Sequence, residues 1–432
     1  MTATAPTTDS GMMKARAPRT APTPSFDFAT PEFRRDPYPF YAKLRREMPI
    51  IRLHQGRRGE SFYVSRYDDV MALIKDVERF ANDKRSAGHK VSWLETRLSM
   101  GMADSMVMKD GSDHRRLRTL AHKAFTPMRV AALEQRIVQL ADGLLDAIGA
   151  RGPSETMGSM DLIADFALPL PVAVISDMMG VDERHRHRFH LWMKGILDLE
   201  AAGPLELLTN VPNMIRLGRF LRGLIAERRR HKGDDLLSAL VEAEEAGDKL
   251  SFDELVASTL IILLAGHETT VNLIGNGMLA LLEHPEQLER LRAHPELMES
   301  AVEEMLRYTS PVQLNAPRYA CEDAELCGVI IPKGAAVCPI LGSANHDEAQ
   351  FKEPERFDIA RQPNRHVSFG YGPHFCLGAP LARLEARVAF RALLQRFTGF
   401  QLAVPRAALT WRRSQSVRGL TALPLRVLGA RG

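Results

Sequence analysis

The feature that most constrains this chain is the apolar stretch that begins after Ser251. Ser251-Phe-Asp-Glu254 is a capping box, in which the Ser hydroxyl accepts the amide three residues on and the Glu side chain reaches back. Apolar residues at helical spacing then run to Leu282, and Pro285 lies just beyond. About 32 residues at ~1.5 Å each make a helix ~48 Å long. It is apolar on most faces, so it reads as a buried helix long enough to cross the whole molecule. Its middle nevertheless reads Ala265-Gly-His-Glu-Thr-Thr270. An ionisable Glu268 and two Thr hydroxyls at the centre of a buried helix are costly unless they are hydrogen-bonded or used. In one reading Thr269 bonds its own helix and Glu268 meets a nearby cation. In the other the segment forms a groove. Gly266 then lets a flat ligand approach the backbone, Thr269 holds a small polar molecule, and Glu268 relays protons toward it.

The remaining 400 or so residues mix short strands with helices. Pro49 to Tyr67 reads as short strands around a Gly-rich turn at Gly56 to Gly59. From Asp68 to Pro311 the spacing is mostly helical. Strands return from Pro311 to Ser343, a Gly-rich loop lies near Phe369, a helix spans Ala379 to Phe397, and short strands end the chain. The fold class expected is mainly α with small β-sheets, as one large domain over residues 26–432. Residues 1–25 are rich in Ala, Pro and Thr and lack the apolar segment of a secretory signal. They read as a disordered extension, with a basic organellar leader as the alternative. No fixed-period repeat points to a solenoid or propeller. Hydrophobic residues at 45% and charged residues at 25% exclude collagen, a long coiled coil and wholesale disorder. A net charge of +4 gives no ground for a nucleic-acid partner. The longest apolar run, Leu260 to Gly266, falls short of the roughly 18–20 residues of a membrane span. Cys321, Cys327, Cys338 and Cys376 form no C-x-x-C pair, which argues against zinc ribbons and dithiol redox motifs and fits a reducing cytoplasm.

Two further motifs carry chemistry. Ala301-Val-Glu-Glu-Met-Leu-Arg-Tyr308 places Glu304 and Arg307 at i, i+3 on one helix face. Such pairs are usually solvated and contribute little. Pro354-Glu-Arg-Phe357 offers Arg356 as a third member, and a buried trio would form a bidentate carboxylate–guanidinium network. The second motif is Phe369-Gly-Tyr-Gly-Pro-His-Phe-Cys376-Leu-Gly378. Gly370, Gly372 and Gly378 permit a tight loop against a planar ligand. Cys376 stands just before a helix, whose N-terminal amides favour its thiolate as a nucleophile or a metal ligand. The other three cysteines read as inert strand residues, and Arg184-His-Arg-His-Arg-Phe-His190 as a solvated helix face.

Taken together, these motifs resemble the cytochrome P450 family. The Cys loop matches F-x-x-G-x-x-x-C-x-G, Ala265 to Thr270 matches A/G-G-x-D/E-T-T, and Glu304 to Arg307 matches E-x-x-R, in family order from about Pro37 onward. The resemblance implies that Cys376 is the proximal thiolate of a b-type haem, the metal ligand that favours O–O cleavage. It implies that Ala265, Gly266, Phe369 and Gly378 flank the haem, and that His114, Arg118, Arg318 and His374 hold its propionates. Thr269 and Glu268 would deliver the protons that dioxygen reduction consumes. Glu304, Arg307 and Arg356 would be structural. The implied enzyme is a soluble, cytoplasmic, monomeric monooxygenase. It would insert one atom of O2 into a medium-to-large, mainly apolar organic substrate by hydroxylation or epoxidation. Electrons would come from a ferredoxin and its NAD(P)H-dependent reductase, docked on a basic face formed by Arg115, Lys123, Arg129, Arg383 and Arg387. Family geometry puts substrate contacts at Trp93 to Met108 (with Met100, Met102, Met106 and Met108), Leu191 to Val211, Ile261 to Ala265 and Val312 to Asn315. The rival readings are oxidative coupling, ring formation or peroxide-driven oxidation on the same cofactor, and a haem-binding sensor without turnover.

Overall fold

The computed structural model describes residues 21–23, 28, 30–54, 60–91, 102–122, 125–149, 158–182, 184–185, 191–192, 204–233, 235–245 and 250–430. Among the described residues the strands are β1 Ile50–His54, β2 Glu60–Val64, β3 Phe80–Ala81, β4 Gly158–Asp161, β5 Arg318–Ala320, β6 Ala324–Leu326, β7 Val329–Ile331, β8 Ala336–Pro339, β9 Phe397–Leu402 and β10 Pro424–Ala430. The helices that build the site are α1 Gly111–His122, α2 Glu134–Gly149, α3 Pro169–Met178, α4 Phe252–Glu283, α5 Met298–Thr309 and α6 Ala379–Arg396. The largest sheet has the order β1-β2-β8-β5-β3. Its central pair, β2 with β8, is parallel, with Ser61 opposite Ala336. That pairing binds the first strands of the chain to the segment after α5. A second sheet, β4-β10-β9, ties the C-terminus to the middle of the chain.

The capping box at Ser251 is made on both sides. Glu254 N donates to Ser251 Oγ at 3.2 Å, and Ser251 N donates to Glu254 Oε2 at 2.9 Å. From there α4 runs for 32 residues. It is long and apolar enough to cross a membrane, but its apolar faces lie against α3, α5 and α6 inside the protein. A Cβ at Gly277 would sit 2.8 Å from Phe390 of α6 and 2.9 Å from Met305 Sδ of α5. Glycine there lets three helices meet.

Glu304 and Arg307 are fully buried, so the surface reading of that pair does not apply. Arg307 Nε and Nη2 each donate to Glu304 at 2.8 Å. Arg307 Nη1 donates onward to the carbonyls of Asn345 and Pro354. Arg356 is not the third member. Its side chain is 60% exposed and lies 3.6 Å from Glu353, because it sits on the outer side of a surface turn. Only its backbone carbonyl enters the network, accepting from Arg307 and Arg361. Arg361 takes the place instead, with Nε 3.1 Å from both Glu304 oxygens. The Asn364 amide and the Asp358 backbone N–H supply the remaining donors.

The expected 1–25 extension lies mostly outside the described residues, as does the turn at Gly56 to Gly59. Residues 21–23 depart from that expectation. Ala21 is buried, and Arg52 N of β1 donates to Pro22 O at 2.9 Å.

Removing one partner of a buried ion pair costs on the order of 3–5 kcal/mol, whereas an exposed pair contributes less than about 1 kcal/mol. Arg361→Ala should therefore lower stability by the larger amount, and Arg356→Ala should leave the urea-unfolding midpoint nearly unchanged. Equal effects of the two substitutions would contradict this assignment.

Candidate active site

Between the middle of α4 and the Cys loop lies a cavity with about 1490 Å³ of non-atom space, including its open mouth. Successive residues on a helix point about 100° apart, so the polar centre of α4 divides between two sides. Ala265, Gly266, Thr269 and Thr270 line the cavity, whereas Glu268 does not. Thr269 Oγ1 donates to Ala265 O at 2.9 Å. Its hydrogen is thus engaged, and its oxygen remains an acceptor toward the cavity. Glu268 turns away and meets Arg412 Nη1 at 2.9 Å. A Cβ at Gly266 would lie 3.1 Å from Ile175 Cδ1, so this glycine also permits close packing of α3 on α4.

The opposite wall is the Cys loop. Gly370 and Gly372 have φ of +70° and +71°, in the left-handed region that side chains disfavour. Cys376 N donates to Phe369 O at 2.9 Å, which closes the loop three residues before α6 begins at Ala379. Cys376 lies deep in the protein, and its exposed surface opens into the cavity. Burial pushes its thiol up, against the opposing pull of the Gly378 and Ala379 amides, Arg118 and Arg383. The amides at the helix terminus pull toward the thiolate, as the sequence reading has it, but burial outweighs them. A bound metal would tip the balance, since coordination deprotonates a thiol outright. The Arg383 guanidinium lies over the Phe369 ring at 4.5 Å and holds Glu303 at 2.6 and 2.8 Å. Burial opposes ionisation of Glu303, but Arg383 and His366 bring its pKa down to about 2.

Four groups that can carry positive charge converge on one edge of the cavity. The His114 and His374 rings are 4.0 Å apart, and His374 lies 3.4 Å from Asp110. Arg118 Nη2 donates to Phe375 O at 2.6 Å, and the buried Arg318 donates to Phe80 O at 3.3 Å. His114 Nε2 is buried with no partner. Burial, then the neighbouring His374 and Arg118, press the pKa of His114 down to about 4. Such a set calls for anionic oxygens.

Residues 26–404 match the family model Cytochrome P450. The polyketide biosynthesis cytochrome P450 PksS of Bacillus subtilis is 42% identical over 400 residues, covering 91% of this chain and 96% of that protein. The cytochrome P450 monooxygenase PikC of Streptomyces venezuelae is 41% identical over 418 residues, covering 96% and 97%. The solved PksS structure superimposes with a TM-score of 0.85 at 40% identity, over 93% of this chain and all of that one.

The chain belongs to the cytochrome P450 family. It is a monooxygenase, an oxidoreductase that binds haem b. It draws on an organic substrate, O2 and a redox partner. The site of this P450 fits that cofactor on its own geometry. A thiol faces the cavity, glycines flatten the wall beside it, and four basic groups with a single paired carboxylate, Asp110, stand at one edge, where two further carboxylates would complete them.

From three of the four expected substrate regions, Met106, Val107, Ile261, Ile262, Ala265, Val312 and Asn315 reach the cavity of this P450; the fourth, Leu191 to Val211, lies largely outside the described residues. Met102 and Met108 do not line the cavity, and Met100 lies outside the described residues, as do residues 186–190 of the Arg/His-rich segment. Burial pushes the Cys327 and Cys338 thiols up to about 12, which makes them poor ligands. Sequence reasoning missed Arg412, which only the tertiary fold brings to Glu268. It also missed Glu385, although Leu381, Glu385 and Val388 at helical spacing placed a carboxyl on the buried face of α6. Both Glu385 oxygens are buried with no partner at hydrogen-bond distance, and the Thr270 hydroxyl only partly offsets the burial.

Burial raises the Glu385 pKa from the ordinary 4.5 to about 8. The folded protein thus keeps a proton that the unfolded chain releases. The stability cost is absent below about pH 4.5, grows as the pH rises toward 8 and then levels, reaching on the order of 3 kcal/mol at pH 7. Glu385→Gln should raise the Tm at pH 8 and leave it unchanged at pH 4.5. A shift of equal size at both pH values would refute this.

Proposed function

We propose that this P450 hydroxylates or epoxidises a medium-to-large, mainly apolar organic molecule of the kind made in secondary metabolism. Cys376 would hold the haem iron through its sulfur. His114, Arg118, Arg318 and His374 would hold its propionates, and Ala265, Gly266, Phe369 and Gly378 would line its pocket. When bound, haem would supply the activation of dioxygen and the transfer of one of its atoms to the substrate, with the thiolate ligand favouring O–O cleavage. The protein supplies position and protons. Ile261, Ile262, Val312 and Leu341 give the cavity an apolar lining that orders an apolar substrate and displaces water. Thr269 offers a hydroxyl oxygen as acceptor for a proton donor in the cavity, and Glu268 supplies protons from behind the helix. The observation that carries this reading is Thr269, the helix hydroxyl that opens onto the same cavity as Cys376. It favours dioxygen chemistry over a sensor and over peroxide-driven oxidation, which need no proton-handling pair. The relatives' printed names, polyketide biosynthesis for one and monooxygenase for another, point to the same substrate class.

The electron donor in this reading is an acidic ferredoxin with an NAD(P)H-dependent reductase. Arg115, Arg129 and Arg387 have no carboxylate partner among the described residues, and the nearby Met128 is 81% exposed. Arg383 is engaged with Glu303 and does not belong to the docking set, and Lys123 lies outside the described residues. The four cysteines are free, in keeping with a cytoplasmic protein, and the chain would act as a monomer.

Two measurements test this function. Candidate substrates should shift the ferric haem from low to high spin. With such a substrate, Thr269→Ala should lower product formed per NAD(P)H several-fold and raise peroxide release, while the spin-shift affinity stays the same. Intact coupling in that variant would favour the peroxide-driven alternative. Separately, Arg115→Glu with Arg129→Glu should slow haem reduction by the donor roughly tenfold at low salt, with the difference shrinking as salt is raised. Reduction that responds to neither charge nor salt would exclude the electrostatic docking face.

A further inference from the structure

We propose that the outer cavity between the C-terminal half of α4 and the C-terminal hairpin Trp411–Leu420 binds a second small molecule, an organic cation with N–H donors on its charged group and an apolar body. This site is independent of the reaction carried out beside Cys376.

The hairpin is closed by the Trp411–Leu420 bridge and lies on α4, where Asn276 Nδ2 donates to Arg418 O at 2.8 Å. Beside it opens a cavity of about 320 Å³. That volume falls within the roughly 300–1,000 Å³ usual for small-molecule sites. The helix Tyr38–Glu47, α4, the end of α5 and the hairpin all contribute wall. Among the described residues, none lines both this cavity and the one that holds Cys376.

The deepest polar group of the wall is Asn276. It is 2% exposed, and its Oδ1 is buried with no partner. Native proteins pair nearly all such atoms. Its amide nitrogen is already engaged with Arg418 O, so what remains for the cavity is an acceptor that calls for a donor. Arg418 Nε is also buried without a partner, but Arg418 borders a separate cavity of about 20 Å³ as well, room for one water. Asn276 does not line that smaller space.

Charge fixes the sign of the ligand. The rim carries Asp36, Glu283 and Glu355 against Arg406 and Arg418, an excess of one negative charge. Arg406 is paired with Glu283. Arg418 Nη2 donates to Arg35 O at 2.9 Å, and its guanidinium lies 3.5 Å from the centre of the Trp411 ring. Among the described residues no arginine or lysine comes within ion-pair distance of Asp36 or Glu355. His346 touches Glu355 at 3.1 Å, but burial presses the His346 pKa below its ordinary value, so at neutral pH this partner leaves the carboxylate uncompensated. An anion would meet carboxylates and an amide oxygen. A cation with N–H groups satisfies both. Pro39, Ala42, Leu279 and Ala280 add an apolar wall, which an organic cation covers and an alkali ion does not.

The probe is benzamidine, whose amidinium stays charged at neutral pH and presents N–H groups in parallel to a carboxylate. Benzamide and benzoate have the same shape and are neutral and anionic. Calorimetric titration of the haem-loaded protein, with the haem cavity filled by phenylimidazole, should show one benzamidine site. Its affinity should exceed that for benzamide by roughly tenfold or more, and benzoate should not bind. A crystal soaked with benzamidine should place an amidinium nitrogen at hydrogen-bond distance from Asn276 Oδ1. Asn276→Leu should abolish this binding. Asp36→Asn with Glu355→Gln, both on the exposed rim, should weaken it roughly tenfold and flatten its salt dependence, with the substrate spin shift unchanged. If Asn276→Leu does not fold, the rim pair carries the same comparison. Equal affinities for benzamidine and benzamide, ordered water alone at Asn276 in the soaked crystal, benzamidine bound only in the haem cavity, or displacement by potassium chloride no weaker than by an organic cation would each overturn the proposal.

Discussion

The buried carboxylate of Glu304 is the point from which the rest of the site is positioned. Its two oxygens accept from Arg307, Arg361, Asn364 and the Asp358 backbone, so its charge is compensated on every side. Arg307 then reaches the Asn345 carbonyl. Asn345 in turn accepts from Val367 N and donates to the hydroxyls of Ser310 and Ser368. Ser368 donates to Leu306 O of α5, and the next residue is Phe369, whose carbonyl closes the Cys loop on Cys376 N. An unbroken chain of hydrogen bonds and neighbouring residues thus runs from one carboxylate to the sulfur. A buried ion pair is a poor source of stability, because desolvation offsets most of its attraction. Its value here is registry: the backbone carbonyls it captures fix where the loop lies against α5 and α6.

The same logic of unequal charge shapes the cavity edge. Asp110 is the carboxylate paired with His374, while Arg118, Arg318 and His114 find backbone carbonyls or nothing. Proteins rarely bury cations without a counter-charge. Asp110 and, farther off, Asp76 offset part of the charge of Arg318, and burial keeps His114 from adding another. If the haem propionates meet this edge as proposed, binding the cofactor would also stabilise the residues that hold them.

Some of this was legible in the sequence, for reasons of range. The capping box at Ser251, the length of α4, the Cys loop and the start of α6 at Ala379 are all set by spacings of fewer than five residues, and local spacing is what a sequence displays. The pairing of Glu304 with Arg307 belongs to the same class, although its complete burial does not. The third arginine was misplaced for a complementary reason. Arg356 and Arg361 are five residues apart in one irregular turn, and nothing local says which side chain faces inward. Arg412 and Glu268 are separated by 144 positions, and their pairing depends on how the C-terminal hairpin is laid on α4. Glu385 was visible as a charged residue on an apolar helix face, but its meaning required knowing that α4 closes over it.

The geometry of α4 finally explains why two adjacent polar residues face different compartments. Consecutive side chains diverge by about 100° on a helix, so Thr269 and Glu268 cannot both face the haem cavity. The Thr269 hydroxyl looks into the largely apolar cavity that Cys376 also lines, and the Glu268 carboxylate looks toward the C-terminal segment, where Arg412 meets it. Between the two faces the buried His267 and the contact of Gly266 with Ile175 fill the turn. The small residues of the motif therefore serve packing as well as the cavity wall: Gly266 lets α3 close on α4, and the same hydrogen keeps the wall flat on the cavity side.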